Sequence, residues 1–223
     1  MGINIAIDGT AGSGKGTISK LLAKSLGFYC LDTGAIYRSV AFFIASKKID
    51  PNCESKVVEK LKEVNFKVEF EKDKNGNQIQ KNILNGTDLK NKIRGEEVGE
   101  AASIVSQFYA VRDFVDDIQH EVSKKYDIIV EGRDIGTVVL PNAEFKFFLT
   151  AAPEIRARRR LEQLKLPESE FENVLEDIKA RDFRDQNRKI SPLKKAEDAV
   201  LIDNSNLSVE ETLVAMLNVV NGK

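Results

Sequence analysis

The chain has 223 residues, of which 31% are charged and 42% hydrophobic, and its formal net charge is −1 at pH 7. This length is enough for one domain with a full hydrophobic core and insertions, and a net charge near zero argues against a global basic surface for nucleic acid. We expect neither a signal peptide nor a membrane-spanning segment, because no apolar run approaches about 18 residues. We therefore expect a cytoplasmic protein whose two cysteines, Cys30 and Cys53, are free thiols.

The first predicted strand, Ile3 to Ile7, leads into a glycine-rich loop and then into an amphipathic helix that Gly27 ends. Together they have the pattern of a P-loop, G-x-x-x-x-G-K, whose lysine is Lys15. Glycines let consecutive backbone N–H groups turn toward a phosphate chain, and the N-terminus of the helix adds its positive pole. The pattern predicts binding of a nucleoside triphosphate. The residues expected to bind it are Gly9, Thr10, Ala11, Gly12, Ser13, Gly14, Lys15, Gly16 and Thr17.

Strands and helices alternate along most of the remaining chain. A capping box, Ser208 with Glu211, indicates where the last helix begins. The predicted elements are a strand at 28–31, helices at 35–45 and 54–63, a helical pattern at 92–124, strands at 128–130 and 145–149, a helical pattern at 153–188, a strand at 199–202 and the helix after Ser208.

Residues 64–91 follow a different period. Phe66, Val68 and Phe70 alternate with charged residues, which is typical of a strand with one buried face. The Asn-Gly pairs at 75–76 and 85–86 favour tight hairpin turns. We interpret this segment as a small antiparallel sheet inserted into an otherwise α/β chain.

The alternation of strands and helices predicts an α/β fold, a parallel sheet of the P-loop NTPase type with helices on both faces. In such sheets ligands bind at the carboxyl ends of the strands. The P-loop follows the first strand, and Glu131-Gly132-Arg133-Asp134 directly follows the strand at 128–130. Both segments are therefore expected at the same edge of the sheet.

Two classes of nucleotide-binding protein do not fit the sequence. A GTPase would carry Asn-Lys-x-Asp, but the Asn-Lys at 91–92 is followed by Ile93 and Arg94. A dinucleotide-binding fingerprint would continue Gly12 and Gly14 with a third glycine, where this chain has Thr17. ATP-driven machines and small-molecule kinases remain. The compact size of the chain, together with a second anion site beside the P-loop at the same sheet edge, favours a kinase.

Three long motifs resemble the bacterial cytidylate kinase family. They are Leu-Asp-Thr-Gly-Ala-Ile-Tyr-Arg at 31–38, Glu-Gly-Arg-Asp-Ile-Gly-Thr-Val-Val at 131–139 and Arg-Asp-Phe-Arg-Asp-Gln-Asn-Arg at 181–188. Shorter matches occur at 101–103 and 148–151, and all lie in the expected order over nearly the whole chain. The resemblance implies a nucleoside monophosphate kinase fold, and a monomer that transfers the γ-phosphoryl group of ATP to CMP or dCMP with Mg²⁺.

The resemblance also implies a division of the chain. Residues 64–91 would belong to the CMP-binding domain, and 153–188 would contain a helical lid that closes over the nucleotides. The core P-loop domain would then comprise residues 1–63, 92–152 and 189–223.

Phosphoryl transfer to an acceptor that is already an anionic phosphate needs alignment and positive charge rather than a general base. Arginine suits this task because its planar fork grips phosphate oxygens in pairs. The resemblance implies that the acceptor phosphate is held by Arg38, Arg133 and Arg188. It also implies that the triphosphate is contacted by Lys15 and by arginines of the lid. The residues expected to be catalytic are Lys15, Arg133 and Arg188.

The resemblance places further residues around the acceptor nucleoside. Asp134 would accept a hydrogen bond from the amino group of cytosine, which predicts CMP over UMP because uracil would put two acceptors face to face. Ser103 and Arg112 would serve the ring nitrogen and the carbonyl of the base. The other residues expected to bind the substrate are Thr33, Arg181 and Asp185, the last two near the ribose.

The metal site departs from the usual P-loop pattern. Many P-loops place Ser or Thr directly after the lysine to bind Mg²⁺, but here Gly16 holds that position and Thr17 is better suited to contact a phosphate. Because Mg²⁺ keeps several waters readily, we expect ATP phosphates and water to hold it, with Glu131 binding one of those waters.

The spacing does not show which arginines of a dense basic run contact ATP. That run is Arg156, Arg158, Arg159 and Arg160.

Two other interpretations remain open at this point. One is a kinase for a different monophosphate, such as UMP, or for a small metabolite, which would share the fold but ignore CMP. The other is a non-catalytic, regulatory ATP-binding module, which would not need the acceptor residues. The sequence does not distinguish CMP from dCMP as the preferred acceptor.

Overall fold

The computed structural model describes residues 2–74 and 77–222. The chain divides into two compact units. The P-loop unit comprises residues 3–28 and 129–222, and the insert unit comprises residue 2 with residues 29–128.

Helices and strands follow one another along the whole described chain. The strands are β1 (Asn4–Gly9), β2 (Tyr29–Asp32), β3 (Phe66–Lys72), β4 (Gln78–Leu84), β5 (Thr87–Asp88), β6 (Ile128–Glu131), β7 (Phe145–Thr150) and β8 (Val200–Asp203). The α-helices are α1 (Lys15–Leu26), α2 (Thr33–Ser46), α3 (Glu54–Leu61), α4 (Glu96–Val105), α5 (Tyr109–Ser123), α6 (Pro153–Leu164), α7 (Phe171–Asn187) and α8 (Val209–Asn221). Short 3-10 turns occupy Lys90–Ile93 and Glu168–Glu170, and a π-helical turn occupies Ile135–Val139.

The P-loop unit is built on parallel strands in the order β6-β1-β7-β8. Strand β7 pairs in parallel with β1 on one side and with β8 on the other. Ile5, Ile7 and Leu149 are completely buried, as expected for strands covered on both faces. A second apolar cluster joins α6 to α7, with Leu161 and Ile178 among its members. The parallel sheet with its helices confirms the predicted fold class.

The insert unit contains the antiparallel sheet that the sequence predicts, in the order β3-β4-β5. Strands β3 and β4 pair from Phe66 with Leu84 to Lys72 with Gln78. Asn85 and Gly86 have φ values of 47° and 79° and connect β4 to β5 as a tight two-residue turn. The other predicted turn, Asn75-Gly76, lies outside the described residues.

Two long helical patterns prove to be pairs of helices. The pattern at 92–124 divides into α4 and α5, because Phe108 adopts an extended backbone between them. The pattern at 153–188 divides into α6 and α7, since Lys165 takes a left-handed conformation with φ of 54° and Pro167 follows it. Pro167 marks the second break in the sequence, whereas no glycine or proline marks the first, at 106–108.

Within residues 2–74 and 77–222, no helix has both the length and the apolar content that crossing a bilayer requires.

The capping box of α8 is present as predicted and gives a test of stability. The Ser208 hydroxyl oxygen accepts a hydrogen bond from Glu211 N–H at 3.1 Å, and the Glu211 carboxylate accepts one from Ser208 N–H at 2.8 Å. We expect Ser208→Ala to lower the free energy of unfolding by about 1 kcal/mol, measured by urea denaturation. Ser169→Ala, in an exposed turn, is the matched control and should change it by less than about 0.5 kcal/mol. Equal effects of the two substitutions would show that the cap does not stabilise α8.

Candidate active site

The P-loop begins where β1 runs closely beside β7. Gly9 has a φ of 149°, and a Cβ atom at this position would collide with the backbone carbonyl oxygen of Leu149. Only glycine combines this backbone conformation with so close an approach. The start of the loop is therefore fixed by the sheet itself.

Lys15 lies over the concave side of this loop. Its Nζ donates hydrogen bonds to the carbonyl oxygens of Gly9 at 2.8 Å and Thr10 at 2.6 Å. Burial lowers the pKa of Lys15 well below its ordinary value, and the nearby charge of Arg133 lowers it further. A cation with so little water around it gains strongly from a nearby anion, which is consistent with the predicted phosphate-binding role of Lys15.

A buried ion pair holds the middle of the P-loop. The Ala11 N–H donates to Asp182 Oδ1 at 3.1 Å, and the Ala11 carbonyl oxygen accepts from Arg156 Nη1 at 2.9 Å. Arg156 Nη1 also donates to Asp182 Oδ2 at 2.6 Å, with both side chains buried. Both polar groups of one loop residue are thus bound by side chains from α6 and α7.

Asn204, just after β8, holds the next part of the loop. Its Nδ2 donates to the Ser13 carbonyl oxygen at 3.0 Å. Arg159 holds Asn204 in turn, since its guanidinium donates to Asn204 Oδ1 at 3.0 Å and to the Asn204 backbone oxygen at 2.8 Å. The sequence analysis assigned no role to Asn204, which lies outside every motif, or to Asp182, which lies within the motif at 181–188.

The remaining arginines of the basic run have local partners. Arg158 donates to Glu168 at 3.0 Å, and its guanidinium lies 4.7 Å from the centroid of the Phe171 ring. Arg160 donates to Gln163 at 3.1 Å. The four arginines thus have different partners, and Arg156 binds the P-loop backbone directly.

The P-loop unit brings together four of the predicted acceptor-site residues. Arg133 Nε donates to Asp185 Oδ2 at 2.8 Å, and Arg188 Nη2 donates to Asp134 Oδ1 at 3.0 Å. Arg188 Nε is fixed as well, by the Ser191 carbonyl oxygen at 2.6 Å. Two arginines predicted to bind phosphate are therefore oriented by two carboxylates predicted to bind the nucleoside.

In the Arg133–Asp185 pair, each partner favours the charged form of the other. Burial by itself would raise the pKa of Asp185, but the charges of Arg133 and Arg181 outweigh burial and hold that pKa below its usual value. Burial likewise disfavours the charged form of Arg133, and the Asp185 carboxylate overcomes this and raises the Arg133 pKa. Arg181, predicted to lie near the ribose, thus contributes positive charge to the same cluster.

A further buried carboxylate, Asp8, directly precedes the P-loop. Its Oδ1 accepts a hydrogen bond from Ile135 N–H at 2.8 Å, and its Oδ2 accepts one from Gly136 N–H at 2.7 Å. Burial raises the pKa of Asp8 to about 6 in spite of these two bonds. The sequence did not single out Asp8, because it reads as the last polar residue of a strand.

Glu131 reaches the first turn of α1. A Cβ atom added at Gly16 would lie 3.1 Å from Glu131 Oε1, so any larger residue there would press on this carboxylate. No cluster of three or more His, Cys, Asp or Glu side chains able to hold a metal occurs among residues 2–74 and 77–222. A single acid beside the P-loop fits a metal that keeps most of its water.

The insert unit carries the other predicted acceptor residues. Arg112 is buried, donates to the Ser106 carbonyl oxygen at 3.4 Å and has its guanidinium 5.7 Å from the centroid of the Tyr37 ring. The Ser103 hydroxyl is buried and has no hydrogen-bond partner among the residues that the structure describes. A buried polar group in that state is typical of a site that a ligand completes.

The start of α2 carries the last two of these residues. Thr33 is its first residue and is buried, and the Asp32 carboxylate caps the helix by accepting from Ala35 N–H at 3.0 Å. One turn further on, the guanidinium of Arg38 lies beside α4, where a Cβ atom at Gly99 would be 3.7 Å from Arg38 Nη2.

Comparison with known proteins decides the family. A sequence model of the cytidylate kinases matches residues 5–222. The chain belongs to the cytidylate kinase family. The cytidylate kinase of Thermosipho melanesiensis is 48% identical over 225 residues, which is 100% of this chain and 99% of that protein. The cytidylate kinase of Clostridium tetani is 43% identical over 215 residues, which is 96% of this chain and 91% of that protein.

Solved structures agree on the fold. The shikimate kinase of Bacteroides thetaiotaomicron has a TM-score of 0.50 and 11% identity, with 98% of each chain covered. The resemblance of the three long motifs to the cytidylate kinase family is thus confirmed, and with it an enzyme of the cytidylate kinase type.

The ion pair between Arg156 and Asp182, which binds the P-loop, predicts a large effect on stability. We expect Arg156→Ala to lower the free energy of unfolding by about 3–5 kcal/mol, because it leaves the Asp182 charge buried without its partner. Urea denaturation followed by circular dichroism measures this effect. Arg158→Ala, on the same helix but exposed, is the control and should cost at most about 1 kcal/mol. A similar cost for both arginines would mean that the buried pair does not stabilise the loop.

Proposed function

We propose that this protein transfers the γ-phosphoryl group of ATP to CMP or dCMP, and so produces ADP and CDP or dCDP. One observation supports this most directly. The buried cation Lys15 lies close enough to Arg133 for the arginine's charge to lower its pKa, and Arg133 is paired with Asp185 of the predicted acceptor site. A cation for the donor phosphates, Lys15, and two cations for the acceptor phosphate, Arg133 and Arg188, thus lie in the P-loop unit.

In the proposed reaction, an oxygen of the acceptor phosphate attacks the γ-phosphorus of ATP, and the bond from that phosphorus to the β,γ-bridging oxygen breaks. The bridging oxygen leaves as part of ADP, and no proton has to be removed from the acceptor. We assign Lys15 to the donor phosphates, and Arg133, Arg188 and Arg38 to the acceptor phosphate. Fixed cations of this kind stabilise the spread of negative charge in the transition state without reorganisation.

We assign recognition of cytosine to Asp134, Ser103 and Arg112. The support for Ser103 is its buried hydroxyl with no partner among the described residues. The support for Asp134 is its buried carboxylate, which accepts a hydrogen bond from Arg188. Asp185 and Arg181 are assigned to the ribose, since a carboxylate can accept a hydrogen bond from a hydroxyl. Thr33 stays a predicted contact of the substrate.

We propose Mg²⁺ as the metal, held by the ATP phosphates and water. Glu131 would bind one of these waters, and its position against Gly16 supports that role. When bound, the metal would offset charge on the β- and γ-phosphates. Thr17 would then contact a phosphate.

The remaining assignments rest on the sequence. We propose that residues 64–91 belong to the CMP-binding domain, that 153–188 contain the lid, and that the protein acts as a cytoplasmic monomer without nucleic acid or membrane. Closure of a lid would keep water away from ATP, which favours transfer over hydrolysis.

A coupled assay of ADP formation from Mg·ATP tests the proposed function. The acceptors are CMP, dCMP, UMP, AMP and GMP, and a reaction without acceptor measures hydrolysis. We expect strong turnover with CMP and dCMP, weak turnover with UMP, none with the purine nucleotides and slow hydrolysis alone. Hydrolysis as fast as CMP-dependent turnover would contradict the proposal. A folded, ATP-binding sample without acceptor-dependent turnover would favour the regulatory module or another substrate.

The assignment of Asp134 gives a sharper prediction. We expect Asp134→Asn to reduce the ratio of kcat/KM for CMP to kcat/KM for UMP by roughly tenfold, because an amide no longer requires a donor on the base. Steady-state kinetics with both acceptors measure the ratio. Asp185→Asn is the matched control, since it should weaken both acceptors and leave their ratio unchanged. An unchanged ratio in Asp134→Asn would remove Asp134 from the base-binding site.

A further inference from the structure

The reaction proposed above gives no task to Asp8. This carboxylate is nevertheless only 3% exposed, at the end of β1 and one residue before the P-loop. A buried carboxylate is costly unless its hydrogen bonds and charge have a purpose, and a neutral side chain of similar size would fill the same space more cheaply. The cost shows in its pKa, which burial raises to about 6.

The two bonds of Asp8 go to one place in the chain. Each carboxylate oxygen accepts one backbone N–H, from Ile135 at 2.8 Å and from Gly136 at 2.7 Å. These residues directly follow Arg133 and Asp134, which are assigned to the acceptor phosphate and to cytosine. Asp8 therefore holds the backbone directly after the segment assigned to the substrate, where the chain turns.

The turn after Asp134 is a short π-helix, and its own bonds return to the same residue. The N–H groups of Val138 and Val139 donate to the Asp134 carbonyl oxygen at 2.9 and 3.2 Å. A π-helical turn is rare and intrinsically poor in hydrogen-bond geometry, so it persists where the surroundings impose it. Asp8 binds the first two N–H groups of this turn, which the turn itself leaves without partners.

Gly136 shows how close the carboxylate and the turn are. A Cβ atom at this position would lie 3.4 Å from Asp8 Oδ2 and 3.2 Å from the Cδ atom of Lys146. The Lys146 ammonium is itself bound by the Pro141 carbonyl oxygen and by Asp198, which holds its alkyl chain in place beside Gly136. A Cβ atom at 136 would touch Asp8 at van der Waals distance and lie slightly too close to Lys146, so the turn or the lysine chain would have to shift.

We propose that Asp8 is a positioning residue for the acceptor nucleotide. It holds the N-terminal end of the turn at 135–139, and thereby sets the direction in which Arg133 and Asp134 face CMP. Its place at the end of β1 fixes this segment to the same strand that carries the P-loop. This inference rests on the proposed function, because it assigns Asp8 to the acceptor side of that reaction.

The test is the isosteric substitution Asp8→Asn. Its amide keeps one acceptor but turns an NH₂ group toward a backbone N–H, so one anchoring bond is lost. We expect KM for CMP to rise roughly tenfold, as the loss of a hydrogen bond to a charged group predicts. The CMP-to-UMP ratio of kcat/KM should fall as well, while KM for ATP stays within about twofold. A purely structural role would not separate the two substrates in this way.

Two further variants keep the test decisive. Gly136→Ala crowds the same turn, since its methyl group would lie 3.4 Å from Asp8 Oδ2 and 3.2 Å from the Lys146 chain. It should also raise KM for CMP alone, so it decides the matter if Asp8→Asn does not fold. Asp50→Asn is the matched control, because Asp50 also accepts a backbone N–H, from Asn52 at 2.9 Å, but in an exposed turn of the insert unit. Its kinetics should equal those of the wild type.

Several outcomes would overturn the inference. A rise in KM for ATP alone would mean that Asp8 acts through Lys15, whose pKa its charge also affects. An equal fall of kcat with every acceptor would indicate general structural damage. The wild type is measured first with CMP, so failure of the proposed function would appear there, before any variant is compared.

Discussion

The P-loop depends on side chains that lie outside it. A loop that turns its N–H groups toward a phosphate cannot use them for a regular ladder, so its remaining polar groups need other partners. Here the peptide groups of Ala11 are bound by Arg156 and Asp182, and the Ser13 carbonyl oxygen by Asn204. The helices α6 and α7 and the end of β8 thus set the shape of the nucleotide-binding loop.

The buried charges of the P-loop unit are arranged in compensating sets. Arg133 is paired with Asp185, and Arg188 with Asp134, so the dehydration of these groups is offset within the folded protein. A cation already fixed in direction meets an incoming phosphate without reorganising, which is the arrangement that phosphoryl transfer favours. The charge of Arg133 also helps to hold the pKa of Asp185 below its usual value, so this carboxylate can accept hydrogen bonds.

The insert unit shows a comparable dependence on a long-range contact. The Gln80 side chain on β4 accepts from Asp32 N–H at 2.7 Å and donates to the Asp32 carbonyl oxygen at 3.3 Å. Asp32 in turn caps α2, the helix that carries Arg38. The inserted sheet therefore fixes the start of a helix predicted to bind substrate, which gives the insertion a physical role within its own unit.

The sequence by itself determined the features that depend on neighbouring residues: the P-loop, the alternation of helices and strands, the Asn85-Gly86 turn and the capping box at Ser208. Its long motifs also gave the family. Only the tertiary structure decided the helix break at 106–108, since no glycine or proline marks it in the sequence. It also showed that Arg156 binds the P-loop backbone directly, whereas Arg158, Arg159 and Arg160 donate to other side chains. The contacts of Asp8, Asp182 and Asn204 likewise became visible only in the structure. Their partners are 26 to 191 residues away in the chain, and no local spacing records which distant groups the fold brings within hydrogen-bond distance.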